Sequence, residues 1–531
     1  MRTEVVRGHL LTQWLAEDGW RTAAPERVIR ATVVFRPERE EEIRARLRDP
    51  EAAPVASAAE LHRLFRPDPA VVVRLASYLE DHGLEVAPPR AEGLYLDFSG
   101  PVARVTAALR CTFAERQVEG RHVYLNREEP QVPVWALDAV GAIVGLENRA
   151  GARPAHRWPR AEADLPNGGQ GYFPRDLRTA YRFPGQWDGS GQTVALLEFG
   201  SGFAAQDVEA FWRAHGVPVR PVGFVSVDGT PNSGGTQALD VECTLDVEWA
   251  GALAPGANLV VYEANPGSND ASWARAMLLA LEAVVTDEVH RPSVVSISYG
   301  DAETRIPRRA LWAWDLAAQR AAARGISVLA ASGDMGSYGV RGIAWPFPHV
   351  DAPASLPHVW AVGGTTLRLA PDGSRASETG WSDTNDNGAS GGGVSLVFPP
   401  LPWQGKAQVP ANPEGRPGRG VPDGALVADP DTGVAIVFQG EPGVIGGTSA
   451  SAPMWAALVA LANQARAARG LGPLGLLGPR LYPLGGSPVF YDILEGTNRI
   501  DGIPGYQCGP GWDAVTGWGS VDATAFVERL G

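Results

Sequence analysis

The sequence predicts an α/β protein, in which a doubly wound parallel sheet follows a smaller α+β domain. The chain has 531 residues, which is long for a single domain. In its second part, apolar runs rich in β-branched residues alternate with helical stretches; the runs cover 193–199, 258–264, 294–300, 326–332 and 359–364. Continuous apolar strands separated by helices are typical of a parallel sheet covered on both faces. Ligands bind such a sheet at the carboxyl ends of its strands.

The N-terminal part shows a mixed pattern that favours a small α+β, ferredoxin-like domain. Its strand-like runs cover 27–35, 93–98 and 122–125, and its helical stretches cover 69–83 and 101–113. A stretch rich in Arg, Pro and Gly follows over 151–174, and such a composition suits an exposed linker that proteases can reach. We therefore predict a first domain over 1–150, a linker over 151–172 and a second domain over 173–531.

Composition excludes several classes of function. The net charge of −14 argues against a nucleic-acid partner, which needs a basic surface. No apolar run is long enough to cross a membrane, so we expect no membrane partner. The first twenty residues lack the apolar centre of a secretory signal. Cys111, Cys243 and Cys508 are odd in number and far apart, which predicts neither a disulfide framework nor a metal site.

The stretch GVIGGTSASAP, residues 443–453, indicates a nucleophilic serine at the start of a helix. The amide of Ser449 and the helix N-terminus can stabilise negative charge, and Pro453 is tolerated in the first turn. A serine nucleophile needs a base, and in the subtilisin pattern that this stretch resembles the base is a histidine in a His-Gly-Thr-His segment. No such segment exists, since His82 and His215 are the only histidines followed by glycine. The base is therefore predicted to be another residue type.

A helix predicted over 236–253 supplies candidates for this base. On a helical wheel Glu242 and Asp246 lie about 40° apart, inside an apolar face that includes Leu239, Leu245, Trp249 and Leu253. An acidic pair at this spacing usually lies on an exposed face, but Leu and Trp neighbours favour burial. Two buried carboxyls at close range share a proton and can accept one from a serine hydroxyl.

The same wheel places Asp240 and Glu248 outside the apolar face, where we expect both side chains to be solvated.

Asp334 follows the strand-like run 326–332 in the turn GDMGSYG. An aspartate in such a turn is either a turn-forming residue or a carboxylic acid that stays protonated and donates a hydrogen bond to an oxyanion.

Taken together, these segments resemble the sedolisin family, the serine-carboxyl peptidases, in the form of the kumamolisin type. The matching segments follow the order of the family along nearly the whole chain: VPVWALDAVGAIVGLENR, YRFPGQWDGSGQTVALLEFGSGF, ECTLDVEWAGALAPGA, VVSISYG, VLAASGDMGS, AVGGTTL, SGGGVSLVFPPLPWQ, RGVPD, GGTSASAP and GYQCGPGWDAVTGWGS. The resemblance implies a subtilisin-like fold, with Ser449 as nucleophile, Glu242 as base, Asp246 supporting the base and Asp334 in the oxyanion hole.

The family also extends its hydrogen-bond network from the base through a further glutamate and a tryptophan. Glu198 matches the glutamate, but Tyr299 stands where tryptophan is usual. A second small departure is Gly424 after Pro422-Asp423, where the family has valine.

The C-terminal segment around 491–513 resembles the calcium loop of the family. Asp492 and Asp513 would supply carboxylates, and Ile493, Gly509 and Gly511 would supply carbonyls. The resemblance thus implies one structural Ca²⁺ as the cofactor. It also implies that the first domain is an activation pro-domain that inhibits the enzyme until the linker is cut.

The resemblance implies an extracellular, monomeric, acid-acting endopeptidase that is made as a zymogen and acts on protein or peptide substrates. Acid suits a site in which one carboxyl accepts a proton while another holds one, around pH ~3 to 5. A tripeptidyl-peptidase of the same fold is the main alternative, and a non-catalytic binding protein is another. An NAD-dependent oxidoreductase is a weak alternative, based on Gly200, Gly202 and Ala205 after a strand with Asp228 further on.

Overall fold

The computed structural model describes residues 2–118, 120–161, 163–268, 271–338, 348–383, 388–500 and 504–531. The chain divides into two compact units. The first unit comprises Met1–Ala152, Asn265–Glu282 and Thr304–Arg324. The second comprises Arg153–Ala264, Ala283–Glu303 and Gly325–Gly531. In the described residues, no helix has the length and apolar character needed to cross a membrane.

The β-strands are β1 (Thr3–Val5), β2 (Arg21–Thr22), β3 (Val28–Phe35), β4 (Glu85–Val86), β5 (Tyr95–Pro101), β6 (Phe113–Val118), β7 (Arg121–Asn126), β8 (Gln131–Pro133), β9 (Val140–Val144), β10 (Arg153–Pro154), β11 (Thr193–Phe199), β12 (Gly223–Ser226), β13 (Asn258–Ala264), β14 (Val294–Ile297), β15 (Tyr299–Ala302), β16 (Ser327–Ala331), β17 (Asp351–Ala352), β18 (Trp360–Leu369), β19 (Arg375–Gly380), β20 (Ser382–Asp383), β21 (Gly388–Ala389), β22 (Gly393–Val394), β23 (Gly420–Val421), β24 (Gly424–Val427), β25 (Val434–Phe438), β26 (Glu441–Ile445), β27 (Phe490–Tyr491) and β28 (Ser520–Val521).

The α-helices are α1 (Thr12–Leu15), α2 (Glu40–Arg48), α3 (Ala58–Leu64), α4 (Pro69–Asp81), α5 (Val102–Leu109), α6 (Pro166–Gly169), α7 (Pro174–Ala180), α8 (Ala205–Ala214), α9 (Asp240–Leu253), α10 (Trp273–Thr286), α11 (Arg308–Ala323), α12 (Thr448–Ala468), α13 (Gly478–Leu481) and α14 (Ala523–Leu530).

The first unit contains an antiparallel sheet in the order β4-β5-β3-β9. Along the chain the four strands of this sheet and helices α4 and α5 come in the order β3-α4-β4-β5-α5-β9, with α2 and α3 before α4 and with β6 to β8 before β9. This order is the split βαβ arrangement of the ferredoxin-like fold. The apolar sides of the strands and of α4 and α5 form one core, which includes Ile29, Val33, Leu75, Leu96 and Val105. The α+β architecture expected for the N-terminal part is confirmed.

The second unit is built on a mostly parallel sheet in the order β12-β13-β11-β14-β16-β18-β24-β28-β27, with β19 paired to β18. Among the described residues, β19 and β27 are the strands that run antiparallel to their neighbours in this sheet. Helix α12 packs on the sheet and against α9, and its residues from Thr448 to Asn463 are all buried. The α/β class and the parallel strands expected from the sequence are confirmed.

Two parts of the predicted helix over 236–253 are wrong. The helix begins at Asp240, so Leu239 precedes it and is 47% exposed rather than part of the apolar face. Asp240 and Glu248, expected in solvent, are fully buried together with every other residue of α9. The cause is that neighbouring segments pack on all sides of the helix, which a helical wheel cannot show. The carboxylate of Asp240 accepts from the Gln237 amide at 2.9 Å, and the Glu248 carboxylate accepts from the Val437 amide of β25 at 3.2 Å.

Several strands of the parallel sheet end close to the N-terminus of α12. Strand β11 ends one residue after Glu198, β14 ends immediately before Ser298, and β16 ends three residues before Asp334. Because carboxyl ends of parallel strands share one edge of a sheet, these side chains gather where α12 begins. This edge of the second unit is where the predicted site residues converge.

Candidate active site

Ser449 is the second residue of α12 and is fully buried. Its hydroxyl donates a hydrogen bond to the Ser298 carbonyl at 3.2 Å, and its amide donates to the Ala155 carbonyl at 2.8 Å. Gly447, just before the helix, has a φ of +111°. A Cβ at this position would lie 2.3 Å from the Ala155 oxygen and 2.6 Å from Asp334 Oδ2. Glycine therefore lets the backbone of residues 155–156 approach the serine.

Glu242 and Asp246 lie one turn apart on α9, and both side chains are fully buried. The Ser298 hydroxyl contacts both oxygens of Asp246, at 2.9 and 2.8 Å. Burial raises the pKa of Asp246 well above its ordinary value, and the charges of Glu198 and Glu242 add to this effect. The structure thus brings together the carboxyl pair that the helix pattern predicted.

The Glu242 carboxylate accepts no hydrogen bond from the Ser449 hydroxyl in this structure. Its Oε2 atom forms a hydrogen bond with Nδ1 of His156 instead, and its Oε1 atom has no partner within the described residues. Burial lowers the pKa of His156, but the charge of Glu242 and the hydrogen bond outweigh burial, so the pKa lies above its ordinary value. His156 was not among the residues selected from the sequence, because a histidine in a polar linker carries no catalytic pattern.

Asp334 lies beside the first turn of α12. Its Oδ1 atom accepts hydrogen bonds from the amide and the hydroxyl of Thr448, at 2.8 and 2.9 Å. Its Oδ2 atom has no partner among the described residues. Burial raises the pKa of Asp334 above its ordinary value. A protonated Oδ2 could therefore donate toward the space beside Gly447, where the Ala155 carbonyl also lies.

Glu198 and Tyr299 form the outer part of the carboxyl cluster. The Tyr299 hydroxyl donates to Oε2 of Glu198 at 3.0 Å, and the Ser201 hydroxyl contacts the same oxygen at 3.1 Å. The two hydroxyls are 2.8 Å apart. Burial, followed by the charge of Glu242, raises the pKa of Glu198 to about 8. Tyr299 therefore contacts the glutamate directly, although the ring differs from the usual tryptophan.

The linker residues around Ala155 form an extended strand in the second unit. Strand β10, Arg153–Pro154, pairs antiparallel with Tyr299–Gly300 of β15, and the Ala155 amide donates to the Ser298 carbonyl at 3.0 Å. On the other side of Ser449, Arg157 and Gly446 exchange two backbone hydrogen bonds of 2.9 and 2.8 Å. The peptide bond between Ala155 and His156 thus lies beside Ser449, with paired backbone on both sides.

A cavity of about 300 Å³ adjoins this strand and is lined by residues that include Ala155, Ala331, Gly333 and Asp351. Asp351 is buried, and its Oδ1 atom has no partner within the described residues. Burial raises the pKa of Asp351 well above its ordinary value, with further contributions from Asp301 and Asp334. Asp351 was also missed from the sequence, since an aspartate on a two-residue strand resembles any loop residue.

The predicted calcium ligands lie in one C-terminal loop region. The Gly511 amide donates to Oδ2 of Asp492 at 2.8 Å, and the Gly509 amide donates to Oδ2 of Asp513 at 3.2 Å. Ile493, next to Asp492, is fully buried. Oδ1 of Asp492 is buried and has no partner in the described residues, so an oxygen is available to a cation.

Comparison with known proteins gives family models for both parts of the chain. Residues 19–149 match the model of the pro-kumamolisin activation domain, and residues 207–473 match that of the subtilase family. Kumamolisin of Bacillus sp. (strain MN-32) is 39% identical, covering 100% of this chain and 96% of that protein. The chain belongs to the sedolisin family of serine-carboxyl peptidases.

Other members of this family support the same assignment. Sedolisin of Pseudomonas sp. (strain 101) is 30% identical, covering 88% of this chain and 80% of that protein. The structure of Pseudomonas sedolisin with two molecules of pseudo-iodotyrostatin has a TM-score of 0.59 and 29% identity, covering 68% of this chain and 98% of that one. Tripeptidyl-peptidase 1 of Mus musculus is 28% identical over 98% of this chain and 95% of that protein. The protein is therefore a serine-carboxyl peptidase made as a zymogen, with an N-terminal activation domain.

Proposed function

We propose that the protein is an acid-acting endopeptidase that cuts its own linker at the bond between Ala155 and His156. The observation that carries this proposal is the position of Ala155. Its carbonyl accepts from the Ser449 amide at 2.8 Å, while its amide donates to the Ser298 carbonyl at 3.0 Å. These two hydrogen bonds hold one residue of the linker against the serine, as a substrate would be held.

In the proposed reaction the hydroxyl oxygen of Ser449 attacks the Ala155 carbonyl carbon, and Glu242 accepts the hydroxyl proton. The Ser449 amide and protonated Asp334 stabilise the resulting oxyanion. Glu242 then gives its proton to the amide nitrogen of His156, which leaves as a free amine. Water then attacks the ester formed on Ser449. Glu242 accepts a proton from this water and returns it to the Ser449 oxygen as the ester bond breaks. Asp246 keeps the base oriented and shares its negative charge.

Latency of the zymogen follows from the contact between His156 and Glu242. While the imidazole holds Oε2 of Glu242, the Ser449 hydroxyl donates to a backbone carbonyl and has no base. Because the pKa of His156 is raised by its carboxylate partner, the imidazole stays cationic as pH falls. We expect activation when the imidazole leaves Glu242 while the Ala155 carbonyl stays at the Ser449 amide, because the carboxylate then becomes available as the base.

The acid range of activity follows from Asp334. Since burial raises its pKa, Asp334 stays protonated to a higher pH than an ordinary aspartate and loses its proton as pH rises further. Deprotonation removes the donor from the oxyanion and puts a negative charge beside it. We therefore expect activity to fall on the alkaline side as Asp334 ionises.

Internal cleavage is favoured over removal of N-terminal tripeptides. Arg153 is the third residue before the proposed scissile bond, and its backbone pairs with Gly300 although the chain continues to Ala152. A tripeptidyl-peptidase would require a free amino group at this position. The named relatives include tripeptidyl-peptidase 1, so this activity is the second candidate. A peptide tested with a free and with an acetylated N-terminus separates the two activities.

We propose further that Asp492, Asp513 and the carbonyls of Ile493, Gly509 and Gly511 hold one Ca²⁺. The residues fit this ion because carboxylates and carbonyls are its preferred ligands and because Oδ1 of Asp492 lacks a partner in the described residues. The ion would fix the loop against the sheet. Chelation is expected to lower the melting temperature, and Asp492→Asn should reduce this sensitivity. A melting temperature that changes neither with a chelator nor with added Ca²⁺ would contradict the proposed calcium site.

Secretion of the protein is also proposed, on the basis of the family resemblance alone. Fractionation of the native host, followed by mass spectrometry of the medium, tests this location. Recovery of the protein solely from the cytoplasm would contradict it.

The proposed function is tested by bringing the purified full-length protein to pH ~4 and following both its size and its cleavage of a denatured protein. The wild type should trim itself and become active, and N-terminal sequencing should find His156 as the new first residue. Ser449→Ala should remain intact. A wild type that cuts nothing at any acid pH, or a Ser449→Ala variant that cuts equally well, would overturn the proposal.

The latency argument has its own test. His156→Ala should trim itself at pH ~6, where the wild type remains intact, because Glu242 is no longer occupied. Trp158→Ala, two residues away in the same linker and 48% exposed, is the matched control and should behave as the wild type. If His156→Ala needs the same acid as the wild type, the imidazole is not the cause of latency.

A further inference from the structure

Glu263 is a buried carboxyl that the proposed reaction does not use. It lies on β13 directly beside Glu198 of β11 in the parallel register, and both side chains are fully buried. Oε1 of Glu263 accepts from the amides of Gly200 and Ser201, while Oε2 has no partner among the described residues. A dinucleotide site would direct these amides at a phosphate, but here they face a side chain of the same chain. Glu263 therefore fixes the turn that follows β11.

This turn places Ser201 inside the carboxyl cluster. The Ser201 hydroxyl lies 3.1 Å from Oε2 of Glu198 and 2.8 Å from the Tyr299 hydroxyl, so the three groups form a closed triangle. The serine is only 1% exposed, and its amide lies 3.3 Å from Oε1 of Glu263. Both its backbone and its side chain are thus held by acidic groups of the same cluster.

We propose that Ser201 is a positioning residue for the catalytic carboxyls, and that Glu263 holds Ser201 in place. The proposal rests on the proposed function and extends it to two residues that do not contact the substrate. Ser201 orients Glu198, and its hydrogen bond favours placing on Glu198 the negative charge that the neighbouring carboxyls share. Burial, followed by the charge of Glu198, raises the pKa of Glu263 to about 9, so Glu263 stays neutral in acid and adds no charge to the cluster.

The surroundings of Glu198 fix the direction of the expected effect. Helix α9 directs Glu242, Asp246 and Cys243 toward it, β13 contributes Glu263, and β15 contributes Tyr299. His156 of the linker reaches the same cluster through Glu242. Carboxyls this close share their negative charge, so a hydroxyl that donates to Glu198 stabilises the ionised form of the whole cluster. Loss of that donor should raise the pH at which the cluster takes up its proton.

The first experiment compares pH profiles of kcat/KM after acid activation of the full-length protein. Ser201→Ala and Tyr299→Phe should each move the acidic limb upward by about one pH unit. Ser327→Ala and Tyr262→Phe are matched controls. Each removes a buried hydroxyl that makes one hydrogen bond elsewhere, to the Gly475 carbonyl and to Asp287 respectively. Both controls should keep the acidic limb of the wild type.

The second experiment separates the role of Glu263 from a general effect on folding. Glu263→Gln keeps a neutral acceptor for the two amides and should keep the wild-type profile. Glu263→Met has a similar length but no acceptor, so it should shift the acidic limb in the same direction as Ser201→Ala. Retention of function in the Gln variant together with a shift in the Met variant would support the positioning role.

Each result decides a different point. A Ser201→Ala variant with the acidic limb of the wild type overturns the inference. A shift in Ser201→Ala but none in Glu263→Met overturns the part assigned to Glu263. A wild type without activity, or one that equals Ser449→Ala, counts against the proposed peptidase chemistry instead.

Discussion

Helix α9 carries two pairs of buried carboxyls that differ in what they contact. Glu242 and Asp246 contact ionisable or hydroxyl side chains, namely His156 and Ser298. Asp240 and Glu248 instead accept hydrogen bonds from backbone amides of neighbouring segments, and Asp240 accepts a further one from the Ser233 hydroxyl. All four side chains are fully buried.

The difference shows that burial alone does not distinguish a reactive carboxyl from a structural one. Backbone amides satisfy a carboxylate permanently, because they cannot take up or release a proton under ordinary conditions. An imidazole or another carboxyl, such as those beside Glu242 and Asp246, can exchange protons with it. Glu242 and Asp246, the inner pair, are therefore suited to catalysis. Asp240 and Glu248, the outer pair, are suited to holding α9 in place.

Replacement of the inner pair should give the largest effect. Glu242→Gln keeps the shape of the side chain but cannot accept the Ser449 proton, so kcat/KM should fall by about 10² to 10⁴-fold. The variant should remain folded, with a near-wild-type circular dichroism spectrum. Normal turnover of a peptide substrate by this variant would show that another group is the base.

The oxyanion donor should have the next largest effect. Asp334→Ala removes the proposed donor, and kcat should fall by about 10² to 10³-fold. Asp334→Asn keeps a donor in the same place and an acceptor for Thr448, so its loss should be smaller. Steady-state kinetics near pH ~4 measure both variants. Equal losses in the two variants would argue against hydrogen-bond donation as the role of Asp334.

Replacement of the outer pair should change stability rather than catalysis. Asp240→Ala leaves the Gln237 amide and the Ser233 hydroxyl without their acceptor. The free energy of unfolding should fall by about 1 to 3 kcal/mol, while kcat/KM per folded molecule is unchanged. Urea denaturation and active-site titration measure the two quantities. A large loss of kcat/KM in fully folded protein would remove the distinction between the pairs.

The smallest effect is expected at Glu248, and it depends on pH. Burial raises the pKa of Glu248 well above its ordinary value, so this group stabilises the folded state fully below about pH 4.5 and loses that contribution as pH rises through the raised pKa. Glu248→Gln does not titrate. Its melting temperature should match the wild type near pH ~4 and exceed it near pH ~8. A variant that is less stable at both pH values would indicate that the carboxyl is ionised in the fold.

The sequence predicted those parts of the site that depend on local patterns. Helical spacing brought Glu242 and Asp246 together, and the Gly-Gly-Thr-Ser turn placed Ser449 at the start of α12. The positions of Asp240 and Glu248 were predicted wrongly, because hairpin β25–β26 and the loop before α9 cover faces that appear solvated on a wheel.

Other parts depend on tertiary structure that no short segment contains. His156 meets Glu242 only because the linker crosses the sheet edge, and Glu263 neighbours Glu198 only through the register of β11 and β13. Alternating apolar runs predict that two strands exist, but they do not determine which residues face each other across them.

Strand β15 gives Tyr299 two partners at once. Its backbone pairs with Pro154 of the bound linker, and its hydroxyl contacts Glu198. A peptide chain that pairs with β15 would therefore also hold the backbone of the residue whose hydroxyl contacts Glu198. Short ester or anilide substrates cannot pair with β15 and should therefore leave Tyr299 less firmly held. We expect extended peptides to be turned over with a higher kcat, and not merely with a lower KM.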